Sequence, residues 1–522
     1  MELLKKNIRM TWQKARAVTQ ITLEEDLNVP DSRPDAGSII QNKEIIRIEE
    51  AKASQGQLQI TGVLEVHILY VAEGDAHTLH RLETRIPFDE RMNLENAQAG
   101  DNIDIKKEME DLNVHLINSR KLSIQALVSF QASVCDLYDA QAAVELHGAE
   151  NLSTKTREIR PLSLNVQTRD ILRVKEEIAL ASNKPNIGEI LWESIQLRGN
   201  DVRVLDGELD VRGELFAFIL YAADDEKATR QWIETSIPFQ QTIAVAGSSP
   251  SNVPDVEMTL SSVSLEVKPD YDGEPRLVAL DAVLDLDIRL YQEETVEILE
   301  DVYAPDRELI PVRKEETYES LVMRNFSKCR AGERLKLEPK KPRMLQICHS
   351  HGEVKLDDVQ IVPDGLKIEG AVFVTILYVT SDDAMPFALM HGAVPFQHVL
   401  EVEGINEHCR YTLRAAAEQL ATTMIDSEEI EVKTSIDLNA LVVERHKEAC
   451  IAEVQEKELD LKKIQEMPSI SGYIVQPGDC LWDIAKEWHT TEERIRSMNH
   501  LENGEVPPGT RILLVKSVAV KN

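Results

Sequence analysis

Three stretches of this chain repeat one pattern at fixed spacing: GVLEVHILY from Gly62, GELFAFILY from Gly213 and GAVFVTILY from Gly370, followed in turn by I-P-F, I-P-F and V-P-F. From the glycine to the proline of that second element (Pro87, Pro238, Pro395) is 25 residues each time, and a further proline stands 28 residues before each glycine, at Pro34, Pro185 and Pro342. A pattern kept at that spacing three times means three copies of one domain, and 522 residues are several times the usual domain length.

Parity says what the repeated stretches are. Leu58, Ile60, Leu64, Val66, Ile68 and Tyr70 fall on one face of an extended chain, with Gln59, Thr61, Glu65 and His67 on the other. The second copy has Leu209, Val211, Leu215, Ala217, Ile219 and Tyr221, and the third Leu366, Ile368, Val372, Val374, Ile376 and Tyr378. Each is a half-buried strand. The glycine sits on the core parity, where a missing side chain admits a bulge or the close approach of another group. A polar stretch between Tyr and the I/V-P-F element suits a hairpin loop. Further strand runs follow, as in VSLEVKP and LVALDAVLDLDIRLY joined by DYDGEP. The expectation is a mostly β chain of three tandem antiparallel units of about 150 residues, each a twisted sheet or sandwich with little helix.

No acid, base or nucleophile recurs with the repeated Gly, Tyr and Pro, so their reading is structural. No P-loop, G-x-G-x-x-G, H-E-x-x-H or G-x-S-x-G element is present. The 91 Asp/Glu are too many for any carboxylate pair to single itself out. Cys348, His349 and His351 in CHSH lack placeable partners for a metal and read as an exposed loop, and the six cysteines form no C-x-x-C pair, as in reduced thiols. No metal and no cofactor are expected. The net charge of −33 opposes phosphate and argues against nucleic acid as a partner. No apolar run approaches the roughly 20 residues of a membrane span, and the N-terminal MELLKKNIRMTWQKARAV lacks the apolar stretch of a secretory signal. A cytoplasmic product that does not span a membrane is expected.

Residues 444–468 are dense in alternating charge and end in Pro468, the marks of a solvated connector. Beyond it the charge changes: residues 471–522 carry six Lys/Arg and seven Asp/Glu, net −1, which leaves −32 upstream. The tail parses as strand, helix, helix, strand. Tyr473 to Val475 is the first strand, and Pro477-Gly478 its turn. Leu481, Ile484, Ala485 and Trp488 line one face of the first helix. Asp479 stands where it would accept from that helix's first amides. The second helix is expected from Thr490, with Glu493 closing a capping box and Ile495 and Met498 buried. Ile512 to Val515 closes the unit. Trp482 reads as core, and Trp488 as core or as an interface anchor.

The triple G-x-x-x-x-x-I-L-Y followed by I/V-P-F resembles the SPOCS domain of spore-coat morphogenetic proteins, over most of residues 20–455. Y-x-V-x-P-G-D-x-L-W-x-I-A, T-T-E-E, M-N and P-P-G-x-x-I across residues 472–515 resemble a LysM domain. The units implied are 1–145, 146–303 and 304–456 for the repeats, 457–470 for a charged linker and 471–522 for the small α+β (βααβ) LysM module. In the LysM family the groove between the first strand–helix loop and the second helix–strand loop binds N-acetylglucosamine chains. By position Gly478, Asp479, Cys480, Leu481, Asn499 and Leu501 would line it, with Trp488 and His500 adding bulk at its edges. Cys480 stands where that family usually has Thr or Ser, so a sugar-binding hydroxyl becomes a weakly bonding thiol. Three SPOCS units with one LysM module resemble the SipL-type coat-morphogenesis family. The resemblance implies a non-enzymatic adaptor in the mother-cell cytoplasm at the forespore surface and in the spore coat. It implies stage IV sporulation protein A, the ATPase of the coat basement layer, as the partner of the LysM module, and other coat proteins as partners of the repeats. The alternative is a carbohydrate-binding protein whose LysM module recognises peptidoglycan or its precursor.

Overall fold

The computed structural model describes residues 1–74, 77–148, 151–226, 228–502, 504 and 506–516. The expected C-terminal module, taken to residue 522, and parts of the polar stretches after Tyr70 and Tyr221 therefore run outside the described residues. The first repeat holds β1 (Glu2–Asn28), β2 (Ala36–Ser54), β3 (Gln57–Ala72), β4 (Leu79–Asn93), β5 (Ile103–Asn118) and β6 (Lys121–His147). They form two antiparallel three-stranded sheets, β2-β3-β4 and β1-β6-β5. One core lies between them, built from the alternating residues of β3 and of β6 (Leu122, Ile124, Val128, Phe130).

The second repeat has β7 (Ser153–Ile159), β8 (Leu162–Ala179), β9 (Ile187–Leu205), β10 (Glu208–Ala223), β11 (Arg230–Ala244), β12 (Val253–Pro269), β13 (Pro275–Glu293) and β14 (Val296–Tyr303). Its sheets are β9-β10-β11 and β12-β13-β8, with β7 and β14 as a separate ribbon. Pro161, which has no N–H to give a ladder, falls between β7 and β8 and divides what is continuous in β1. The third repeat has β15 (Glu308–Lys336), β16 (Met344–Val362), β17 (Gly365–Thr380), β18 (Phe387–Glu401), β19 (Cys409–Met424) and β20 (Glu429–Lys457), in sheets β16-β17-β18 and β15-β20-β19. The mostly β, antiparallel expectation holds, and each unit is a sandwich.

The repeated motif residues have one explanation each. Gly62, Gly213 and Gly370 pair with Phe88, Phe239 and Phe396 of the I/V-P-F element. A Cβ on those glycines would stand 2.7, 2.7 and 3.1 Å from the phenylalanine ring tip, so the ring lies over the bare glycine. The neighbouring strand bulges at the same place in all three units. Tyr70, Tyr221 and Tyr378 are fully buried, and their hydroxyls donate to the carbonyls of Pro34, Pro185 and Pro342 at 3.0, 3.1 and 3.2 Å. The proline 28 residues before the glycine, and 36 before the tyrosine, is thus the acceptor that lets a tyrosine enter the core.

The leucine of the I-L-Y element lies on the opposite parity and is buried too. Leu69, Leu220 and Leu377 meet in a single cluster with Ile40, Leu191 and Cys348, which occupy equivalent places on β2, β9 and β16. The three sandwiches therefore close on one another around a pseudo-threefold centre. A second three-way cluster joins the extensions of the outer sheets: Ile8, Met10, Ala140 and Ala142 from the first unit, Val296 and Ile298 from the second, and Tyr318 and Cys450 from the third. The polar contacts differ at each junction. Arg33 and Arg81 of the first unit meet Glu189 and Glu193 of the second. Arg414 of the third meets Asp255 of the second, and Lys355 of the third meets Glu108 of the first at 3.0 Å.

CHSH is part of this closure, and the exposed-loop expectation is wrong for it. It lies in β16, and His349 is 5% exposed, stacked on Phe218 of the second unit with ring centroids 4.2 Å apart. The charged connector is not an open chain either. Residues 444–457 finish β20, paired to β15. Then comes α1 (Leu461–Glu466), whose Ile464 is buried; the carbonyls of Ile464 and of Met467 accept from Lys516 Nζ at 2.6 and 2.9 Å.

Candidate functional site

The C-terminal module consists of β21 (Ile470–Ile474), α2 (Leu481–Glu487), α3 (Glu492–Asn499) and β22 (Arg511–Val515), with the two strands paired antiparallel. Its core is Val475, Leu481, Ile484, Ala485, Ile495, Ile512 and Leu514. Helix starts differ from expectation by their caps. Asp479 does not cap α2; its Oδ2 accepts from Tyr473 Oη and from the Gln476 N–H, both at 2.7 Å, and so closes the Pro477-Gly478 turn. Gly478 supplies the positive φ of +94° that this turn needs. The second helix begins one residue late, with Thr491 as N-cap accepting from the Arg494 N–H, so the expected box of Thr490 and Glu493 does not form. Met498 is 39% exposed, not buried.

A cleft of about 610 Å³ opens beside this turn. Its floor is apolar, from Val475, Leu481 and Ile484, all buried, with Val506 beside them. Its rim carries Gly478, Asp479, Cys480, Glu492 and Arg496. The rim's hydrogen-bonding groups are largely engaged by the module itself. The Gln476 amide and Tyr473 hold the Asp479 carboxyl below its ordinary value. The Cys480 thiol donates to Asp483 Oδ2 at 2.9 Å, and burial together with that carboxylate pushes its pKa up, so it stays a thiol. Arg496 donates to the carbonyls of Glu502 and Gly504 at 2.7 and 2.8 Å.

The structure brings Gly478, Asp479, Cys480 and Leu481 together in this cleft and leaves the other four expected residues outside its lining. Asn499 ties α3 to β22, donating to Leu513 O at 2.8 Å and accepting from Leu513 N at 2.6 Å. His500 ends α3 at φ +53° and ψ +38°, the left-handed conformation a terminating residue adopts. Leu501 and Trp488 are half-buried against the module's core. Glu492, Arg496 and Val506 entered the lining unforeseen; they lie on other elements, and no single-strand or single-helix period links them to Gly478.

Trp482 is buried, but not within the module alone. Its ring meets Tyr303 of β14 edge-on at 4.7 Å, and its Nε1–H donates to Asp301 at 2.8 Å. Nothing in the sequence near Trp482 announces a partner some 180 positions upstream. Among the described residues no group of His, Cys, Asp and Glu is arranged to hold a metal ion, and no helix is long and apolar enough to cross a membrane.

The SipL, SPOCS domain family matches residues 35–117, 186–268 and 343–425, and the LysM domain family matches residues 473–514. No curated protein and no solved structure matches the chain. Both families are non-catalytic, and together they support a sporulation-related adaptor role of a kind that binds peptidoglycan-like carbohydrate.

Proposed function

With three SPOCS repeats and a C-terminal LysM domain the chain is of the SipL type, and from that premise we propose that it is a non-enzymatic adaptor of spore-coat assembly whose LysM cleft grips a protein. The partner in this reading is stage IV sporulation protein A, the basement-layer ATPase, met at the forespore surface in the mother-cell cytoplasm. Other coat proteins attach to the repeats. The supporting observation is the state of the cleft: Asp479 Oδ2, the Cys480 thiol and the Arg496 guanidinium already hold hydrogen bonds within the module's own frame, above an apolar floor. A sugar hydroxyl that leaves water needs such partners back, whereas an apolar side chain of a protein segment gains by burial alone. The closed three-unit body gives the module a rigid base.

The rival reading is carbohydrate binding, favoured by the cleft's lying at the turn where the LysM family holds its sugars. One pair of measurements separates them. The purified full chain should retain the ATPase, and Cys480→Phe, which fills the cleft from an exposed position, should abolish retention. Calorimetry with chito-oligosaccharide should show no binding to the native chain. Micromolar sugar binding, strengthened by about 1 kcal/mol in Cys480→Thr as a hydroxyl replaces the thiol, together with no ATPase retained, would reverse the ranking.

A further inference from the structure

The LysM module is seated on the ribbon of the second repeat through one carboxylate and one ring. Lys486 Nζ donates to both oxygens of Asp301 at 2.7 and 2.9 Å, and the Trp482 indole donates to Oδ2 at 2.8 Å. Burial alone would raise the Asp301 pKa; Lys486 and Trp482 outweigh it and hold the carboxyl below its ordinary value. Tyr303 stands two residues after Asp301 on β14, hence on the same face of the strand, and its ring meets the Trp482 ring. Trp482 and Lys486, four apart, share one face of α2. That face is turned roughly 150° from Leu481 and Ile484, which floor the cleft, at 3.6 residues per turn. Both faces can therefore be occupied at once.

An indole that donates its N–H, a lysine one turn on, and a carboxylate set two residues before an aromatic ring make a recognition pair of ordinary protein-interface chemistry. The fit is incomplete, because the buried Tyr303 hydroxyl has the Ser153 side chain and the Glu492 backbone beside it but neither in hydrogen-bond geometry. A segment that satisfies or omits that hydroxyl would bind this face better than the chain's own does. We propose that the Trp482–Lys486 face is a second recognition surface of the LysM module, for an extended protein segment carrying a carboxylate two residues before an aromatic ring, and that Asp301–Tyr303 of this chain fills it until such a segment displaces it. The inference rests on the protein-binding reading of the module but not on the cleft.

The test uses the full chain and a labelled peptide of residues 296–304, VEILEDVYA. Asp301→Ala with Tyr303→Ala vacates the face, and the peptide should bind that chain at least tenfold more tightly than it binds the native one. Trp482→Ala added to the vacated chain should remove the binding. Asp301→Asn, which leaves Tyr303 and the β14 ladder in place, guards against misfolding and should give an intermediate affinity. Cys480→Phe on the vacated chain should leave peptide binding intact even where the cleft ligand is lost, so the two surfaces fail separately. Equal binding to native and vacated chains, binding that survives Trp482→Ala, or no binding to either chain overturns the proposal.

Discussion

Glycine 213 faces the ring of Phe239 with no space for a methyl group: a Cβ would stand 2.7 Å from Cζ and 3.1 Å from Cε1. Two residues on, Leu215 returns to full burial, so the strand cannot shift to make room without moving its core face. Gly213→Ala should cost about 1–3 kcal/mol through overpacking, read as a lower denaturant midpoint of the full chain. The cause is checked by a second change. Phe239→Leu removes the ring tip, and in that background the alanine should cost far less; equal penalties in both backgrounds would show that the glycine serves the backbone and not the ring. The sequence placed this glycine on the core parity without saying what approached it. The partner was in plain sight as the third letter of I-P-F, 26 residues downstream. Register, the quantity that joins the two, is a property of the pair of strands and not of either one. The same holds for Tyr221 and Pro185, 36 positions apart and joined by one hydrogen bond.

At the scale of elements, alternation is a local signal, and it was enough to find β3, β10 and β17 and to expect sandwiches. Charge was a poorer guide. Glu444 to Lys457 looks like a solvated connector because each strand of a two-stranded extension has an exposed face, and β20 fills that face with Glu, Lys and Arg. Cys450 and Ile451, consecutive and so on opposite faces, enter two different clusters between units. The backbone there is paired to β15 on both sides of a single bulge at Ala452, which protects it from a protease that must draw an extended segment into its own site. Limited proteolysis should therefore spare residues 444–457 and cut first at 458–460, the short stretch between β20 and α1. Mass spectrometry of the first fragments decides this: early cleavage inside 444–457 would mean that β20 ends before Glu444. In the LysM module the helices were legible from their apolar spacing. Their caps were not, because Thr490 and Thr491 stand side by side and only the chain's entry angle selects Thr491. Four of the eight expected site residues line the cleft for a similar reason. Gly478 to Leu481 are consecutive and travel together, whereas Asn499 to Leu501 straddle a helix end whose direction the sequence does not specify.

At the scale of the whole molecule, the closure of three repeats is the feature the sequence concealed most thoroughly, since equivalent positions carry unlike residues: Gln41, Trp192 and His349 stand at the same place in the three units. Divergence of this kind lets each junction be distinct, so the chain closes in one order. The junction between the second and third units also holds a titratable group at its centre. His349 is sandwiched against Phe216 and Phe218, and its Nδ1 lies 3.3 Å from Glu234 Oε1. Burial lowers its pKa, Arg198 nearby lowers it further, and Glu234 pulls the other way without prevailing. The sign follows from proton counts. Below the ordinary histidine value of about 6.5 the unfolded chain takes up a proton that the folded junction resists, so the unfolded state gains and stability falls. Above that value both states are neutral at this position and the contribution is constant. The loss therefore begins as pH drops through about 6.5 and continues until the lower folded value is reached. His349→Phe keeps a ring on Phe218 and leaves Glu234, which is 41% exposed, to water. Denaturant midpoints between pH 7.5 and pH 5 should fall for the native chain and fall less for the variant, with Glu189 and Glu193 at the junction of the first and second units contributing only at lower pH because their partners hold them below the usual range. Parallel curves for the two chains would mean that His349 is protonated equally in both states and that the junction closes by its apolar cluster alone.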